Sequence, residues 1–233
     1  MTKTFLLAGG TSGIGRATVE LLADGECHLL CACRQPDLLP DLPGVEGTPF
    51  EATEPNPDLA LPERLDGMVY FPGSIRLKPF HLLRDEDFLE DLQVNLLGAA
   101  RLLRLALPAL KRSGQSSVVF FSTVAVGQGF PFHAGIAAAK GALEGFARSL
   151  AAEFAPTIRL NCIAPSLTNT PLASPFLGSE PKREACAGRH PLQRIGEPQE
   201  TAKLVRFLLS EDSGFMTGQV LGLDGGLSAL RTQ

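Results

Sequence analysis

No run of lysine or arginine stands out in these 233 residues, and the formal net charge is −4. Nucleic acids and anionic membrane surfaces call for concentrated basic charge, so neither is expected as a partner. No apolar stretch is long enough to span a bilayer. Met1-Thr2-Lys3 runs straight into the strand-like Thr4-Phe5-Leu6-Leu7-Ala8, a start with neither the length nor the cleavage site of a secretory leader. Internal repeats and low-complexity segments are missing. So is a Gly-x-Ser-x-Gly elbow, which removes support for a hydrolase triad. His28, His81 and His190 are scattered without metal-ligand spacing, and no metal is expected. Cysteine is sparse and odd in number: Cys27, Cys31, Cys33, Cys162 and Cys186. Cys31 and Cys33 alternate within an apolar run, the pattern of buried small thiols rather than of a disulfide or metal site. A reducing cytoplasm fits.

What is present is a large apolar fraction. Hydrophobic residues make up 44% and charged residues 20%, enough to build a sizeable core and too much for disorder. The length suits one domain spanning residues 1–233. Short apolar runs alternate with longer helical patterns, the signature of a parallel sheet with crossover helices. The predicted strands are Phe5–Ala8, His28–Cys33, a short one near Val45–Glu51, Gly67–Phe71, Ser117–Ser122, Thr157–Ile163 and Val220–Leu223. Helices are predicted near Gly13–Leu22 and over Asp85–Lys111, Ala134–Phe154 and Glu197–Ser210. The acidic start and basic end of Asp85–Lys111 suit the helix dipole. Between Gln35 and Pro62, prolines break the chain too often for two full crossover helices. Residues 171–196 read as a loop or lid.

The first strand is followed by Ala8-Gly9-Gly10-Thr11-Ser12-Gly13-Ile14-Gly15, which opens a helix. A tight strand-to-helix turn and close approach of backbone to ligand both favour glycine. Free N–H groups at the helix start then suit a pyrophosphate, and Thr11 and Ser12 can add hydroxyl bonds. A glycine motif alone is a weak signal, since an ordinary turn also uses glycine; the strand–turn–helix context is what favours a dinucleotide.

At this point the sequence resembles the short-chain dehydrogenase/reductase family. Gly9-x-x-x-Gly13-Ile14-Gly15 matches its fingerprint. The resemblance continues through Val94-Asn95-Leu96, Phe121-Ser122-Thr123, Lys140-Gly141-Ala142-Leu143-Glu144-Gly145, Leu160-Asn161-Cys162-Ile163-Ala164-Pro165 and Thr217–Gly226. It covers nearly the whole chain in order. It implies an α/β, Rossmann-like, doubly wound, mainly parallel seven-stranded sheet with helices on both faces, usually in a homotetramer or dimer.

In dinucleotide folds an acid after the second strand binds the ribose 2′-hydroxyl, while an arginine accommodates a 2′-phosphate. Arg34 follows the second strand here, and its fork of donors suits a phosphate. NADP(H) is therefore preferred; a merely solvated Arg34 is the competing reading, and Asp37 nearby keeps NAD(H) open. The resemblance assigns Glu51 an adenine contact, Gly73 the one glycine kept from a strand-end motif, and Pro165, Thr168 and Thr170 the nicotinamide side.

The resemblance also implies an active site of Ser, Tyr, Lys and Asn. Asn95 and Lys140 are retained, Lys140 also as a cofactor-binding residue whose ammonium can hold ribose hydroxyls, and Thr123 replaces the serine with another hydroxyl. The tyrosine position, four residues before Lys140, holds Ile136, which has no proton to give. The chain's single tyrosine, Tyr70, lies elsewhere. Carbonyl reduction needs a hydride from the cofactor and a proton from elsewhere. His133, three residues before Ile136, has the titration range of a proton donor; the competing reading is a helix-start or surface histidine. Tyr70 ranks below it. Phe176, Leu177 and His190 either line the pocket or belong to a solvated loop. The small Ala137, Ala138 and Gly141 suit either a partner helix or packing on the sheet. Two functions follow. One is an NADP(H)-dependent oxidoreductase on a small carbonyl or alcohol, using Asn95, Thr123, Lys140 and His133. The other is an NADP(H)-binding sensor or structural partner with little catalysis.

Overall fold

In the computed structural model, residues 2–23 and 25–231 are described; Met1, part of the opening segment read from the sequence, lies outside them. Seven parallel strands form one sheet in the order β3-β2-β1-β4-β5-β6-β7. They are β1 (Lys3–Ala8), β2 (Cys27–Cys33), β3 (Val45–Pro49), β4 (Gly67–Tyr70), β5 (Ser116–Phe121), β6 (Ile158–Pro165) and β7 (Val220–Leu223). The helices are α1 (Gly13–Leu22), α2 (Asp85–Leu92), α3 (Gly98–Ser113), α4 (Ala134–Phe154), α5 (Glu180–Ala187) and α6 (Pro198–Leu209).

Strand periodicity divides the core in two. Along β1, Leu6 and Ala8 pack on one face while Phe5 and Leu7 pack on the other. Along β5, Val118 and Phe120 pair with the first set and Val119 and Phe121 with the second. Alternate side chains of a strand point to opposite faces, and both faces of a parallel sheet need cover. Residues of α3 and α4 cover the first face, and residues of α1 and α6 the second. This is the doubly wound, Rossmann-like fold expected. Strand order reverses between β1 and β4, and ligands in such sheets bind outside the carboxyl ends of the strands at that switch.

Several boundaries differ from the sequence reading. The segment 171–196 is more ordered than a loop: it holds a 3₁₀ turn over Pro171–Phe176 and the helix α5. Leu177 and His190 are buried there, so a solvated loop is not what these residues form. The single helix expected over Asp85–Lys111 is α2 and α3 joined by a π-helical turn, Gln93–Leu97. Period alone does not reveal that one-residue slip. All five cysteines are free thiols, and burial pushes Cys31 up to about 12. Among the described residues no helix is long and apolar enough to cross a membrane.

Candidate active site

The glycine turn leaves β1 at Gly9, whose N–H donates to the Ala32 carbonyl of β2 at 2.8 Å. Gly9, Gly10 and Gly13 all have positive φ, at 98°, 136° and 53°, which L side chains rarely adopt. Gly15 is needed for closeness instead: a Cβ there would lie 2.9 Å from the Gly10 nitrogen. Ser12 is the N-cap of α1, and its side chain makes no capping bond. The first intrahelical bond runs from Arg16 N–H to Ser12 O, and the preceding N–H groups have no partner within the helix by construction. Thr11 and Ser12 flank this donor-rich turn. A Cβ on Gly13 would touch Thr170 at 3.3 Å, so the turn and the segment after β6 share one cradle. That bare backbone fits a pyrophosphate.

At the end of β2, exposed Arg34 borders a cavity of about 320 Å³ with Pro49, Phe50, Glu51, Glu54, Pro57 and Asp58. Glu51 accepts from the N–H and hydroxyl of Thr53 at 3.3 and 3.2 Å. Arg34 and Glu51, apart in sequence, therefore line one pocket.

Lys140 projects from α4 beneath the end of β5. Its side chain is buried, and its ammonium donates to the Phe121 carbonyl at 2.6 Å. Burial pushes it down to about 8, while Cys162 and Asp91 nearby act to raise it. Asn95 is fully buried in the π-helical turn, a distortion frequent at functional sites. A Cβ on Gly73 would lie 3.2 Å from Asn95 Oδ1 and 3.3 Å from Lys140 Nζ. A side chain there would press on both groups, which lie against the bare face of Gly73. Thr123 follows β5, half-buried, with its Oγ1 accepting weakly from Ala125 N–H at 3.3 Å.

Tyr70 does not join this group. Its hydroxyl is buried and donates to the Val94 carbonyl of the π-helical turn at 2.6 Å, and burial raises its pKa. It serves as a strut for the π-helical turn. His133 is the N-cap of α4; its Nδ1 lies 2.7 Å from Pro131 O and its ring tilts against Phe130. A carbonyl can only accept, so the proton sits on Nδ1 and Nε2 is left as the acceptor. Ile136 is buried on the same helix.

After β6, Pro165 O accepts from Val124 N–H at 3.3 Å, tying that strand end to the Thr123 segment. Thr168 donates to Ser166 O, and Thr170 accepts from Ala173 N–H to cap the 3₁₀ turn. Both hydroxyls are engaged within their own segment.

Asp91, Ser74 and Ser166 escaped the sequence reading. Asp91 is 1% exposed and Ser74 Oγ donates to its Oδ1 at 2.7 Å. The acids opening the helix read as dipole partners, yet Asp87, Asp91 and Asn95 stand four apart on one buried face; that spacing was the available signal. His190 is also buried, between Ser166 Oγ and Cys186 O, each at 2.9 Å. Ser166 and His190 border a cavity of about 140 Å³ with Thr168, Arg194 and Asp224. Nothing in their local sequence pairs them. Among the described residues no cluster of His, Cys, Asp or Glu is placed to hold a metal ion.

Comparisons with known proteins agree with this architecture. The profile of a family described as enoyl-(acyl carrier protein) reductase matches residues 60–228. A tropinone reductase homologue of Arabidopsis thaliana is 37% identical, over 97% of this chain and 91% of its own. The 3-oxoacyl-[acyl-carrier-protein] reductase FabG of Thermotoga maritima is 31% identical, over 97% of each chain. Among solved structures, ligand-free aldohexose dehydrogenase of Thermoplasma acidophilum superposes with a TM-score of 0.87 at 26% identity, over 99% of this chain and 97% of its own. ElxO with NADP bound gives 0.86 at 25% identity, over 99% of this chain and all of its own.

Proposed function

This chain belongs to the short-chain dehydrogenase/reductase family, and from that premise we propose that it is an NADP(H)-dependent oxidoreductase interconverting a small carbonyl and its alcohol. One observation carries the reading: Lys140, Asn95 and bare Gly73 converge at the carboxyl edge of the sheet, on the edge that also carries the glycine turn. All of residues 1–233 then act as one cofactor-binding unit, with 171–196 covering the substrate.

The N–H groups that open α1 hold the pyrophosphate, with Gly9, Gly13, Ile14 and Gly15 keeping that surface free of bulk and Thr11 and Ser12 adding hydroxyls. Arg34 offers its fork of donors to a 2′-phosphate, and Glu51 borders the same pocket. Pro165, Thr168 and Thr170 bound the nicotinamide side. The bound nicotinamide supplies or accepts the hydride. Thr123 donates a hydrogen bond from its hydroxyl to the substrate oxygen and orients it. Lys140 adds positive potential where negative charge develops on that oxygen. Ile136 occupies the place of the family's tyrosine, so the proton comes from another group. His133, with Nδ1–H committed to Pro131 O, can give up a proton from Nε2 only as the imidazolium, and in the reverse direction the bare Nε2 takes that proton back. The NADP complex of ElxO supports cofactor choice by analogy. The free buried thiols fit a reducing cytoplasm, and the family fits a homo-oligomer.

A second reading is favoured by Ile136: an NADP(H)-binding protein with little catalysis. Single-turnover hydride transfer from NADPH across a carbonyl panel separates the two. Consumption of NADPH supports the first; tight binding without consumption of NADPH supports the second. His133→Ala is expected to slow the reaction at least ~10²-fold, and an unchanged rate removes His133 from the mechanism.

A further inference from the structure

Asp91 is a buried carboxyl that the chemistry above does not use. Burying an acid is costly unless it is hydrogen-bonded or faces an opposite charge, and Asp91 has both. Ser74 Oγ donates to its Oδ1 at 2.7 Å, and it lies close enough to act on Lys140 and on Arg76 through charge. Its Oδ2 has no hydrogen-bond partner among the described residues and points at the first turn of α4, where a Cβ on Gly135 would come within 3.0 Å. Gly135 adjoins Ile136.

We propose that Asp91 is a positioning residue for the Lys140 site, acting through Ser74 and Asn95; this rests on the oxidoreductase reading. The logic is one of donors and acceptors. A carboxylate only accepts, so the single Ser74 proton is committed to Asp91. The Ser74 oxygen must then accept, and Asn95 Nδ2 donates to it at 3.0 Å. The other amide hydrogen of Asn95 goes to the Asp91 backbone carbonyl at 2.8 Å. With both hydrogens turned that way, Asn95 Oδ1 faces the opposite side. That side is the bare face of Gly73, where Lys140 Nζ also lies. Asp91 therefore dictates which end of the Asn95 amide is turned toward the Lys140 side, where Oδ1 has no hydrogen-bond partner among the described residues.

Charge adds a second influence. The groups acting on Lys140 are Cys162 from β6 and Asp91 from α2, with the Phe121 carbonyl of β5 as its hydrogen-bond partner. Burial pushes Cys162 up to about 12, so near neutral pH it is an uncharged thiol. Asp91 is then the acid that favours the ammonium form of Lys140.

Lysine labelled with ¹³C at Cε, followed by NMR titration of the intact chain, reads Lys140 without any substrate. Asp91→Asn is expected to lower the Lys140 midpoint by about one unit. It is also expected to lower kcat by ~10-fold or more and bring its alkaline limb to lower pH, since the ammonium is lost sooner as pH rises. NADPH affinity should stay within ~3-fold, because the glycine turn is a separate element. Ser74→Ala cuts the link and leaves the charge: kcat should fall while the Lys140 midpoint stays within about 0.3 unit. A purely structural role predicts instead a loss of thermal stability with an unmoved midpoint and unmoved limb. An unmoved midpoint in Asp91→Asn, or an unchanged kcat in Ser74→Ala, overturns the proposal; should Asp91→Asn not fold, Ser74→Ala decides. If the wild type binds NADPH but turns nothing over, the oxidoreductase reading fails, and the Lys140 midpoint alone decides whether Asp91 acts on Lys140.

Discussion

The glycine turn and the Lys140 pocket lie along one edge of the same sheet but are made of different material. The turn is backbone: its donors are N–H groups that every residue carries, and its specificity lies in what is missing, the Cβ atoms of Gly9, Gly13 and Gly15. The pocket is made of side chains: Asn95, Ser74 and Asp91 hold one another through particular donors and acceptors, with Lys140 beside them on the Phe121 carbonyl. A backbone site tolerates sequence change around it as long as the glycines stay. A side-chain site is rewritten by single substitutions.

The comparison can be broken most sharply at the turn. Gly15→Ala puts a Cβ 2.9 Å from the Gly10 nitrogen, a backbone atom that cannot swing aside. NADPH affinity should drop at least ~100-fold, about 2.7 kcal/mol, as read by fluorescence titration, while circular dichroism still reports the fold. In the pocket, Lys140→Met should do the converse. It should cut kcat by ~100-fold while raising the NADPH Kd less than ~10-fold, because the pyrophosphate contacts are untouched. If both variants lose binding equally, the two regions are one site and the contrast is wrong.

The pocket's frame should be the fragile part. Gly98 opens α3 where a Cβ would fall 2.2 Å from the Tyr70 hydroxyl and 2.7 Å from Ala52 O. Gly98→Ala must push Tyr70 off the Val94 carbonyl, which should cost about 2–3 kcal/mol and lower Tm by roughly 4–12 °C in a thermal melt. Smallest is the effect at the rim of the cradle. Arg34→Ala should weaken NADPH about 10-fold and leave NADH nearly unchanged. Equal losses for both cofactors would remove Arg34 as the phosphate reader.

The same difference in material explains what could be read from sequence. The strands and the helices other than α5 announced themselves through period, and the turn through glycines between a strand and a helix. The π-helical turn did not, because Asp85–Lys111 keeps helical spacing across it; only the folded Tyr70, bonding the Val94 carbonyl, shows where the slip is held. Asn95, Thr123 and Lys140 were found through a family resemblance, and the fold gathers Asn95 and Lys140 at Gly73. Arg34 and Glu51 were read separately and share a pocket. Asp91 and Ser74 are 17 residues apart, and the Ser166–His190 pair 24. No local pattern links such partners, since the contacts exist only once the sheet is assembled. His190, in a segment read as loop, turned out to be buried for the same reason.

The central claim is that bare N–H groups after β1 hold a dinucleotide's pyrophosphate. Calorimetric titration of the intact chain with NADPH tests it most directly, run beside Gly15→Ala. Saturable binding of one NADPH per chain, lost in the variant, is the predicted result. No binding by the wild type, or equal binding by both, would contradict it.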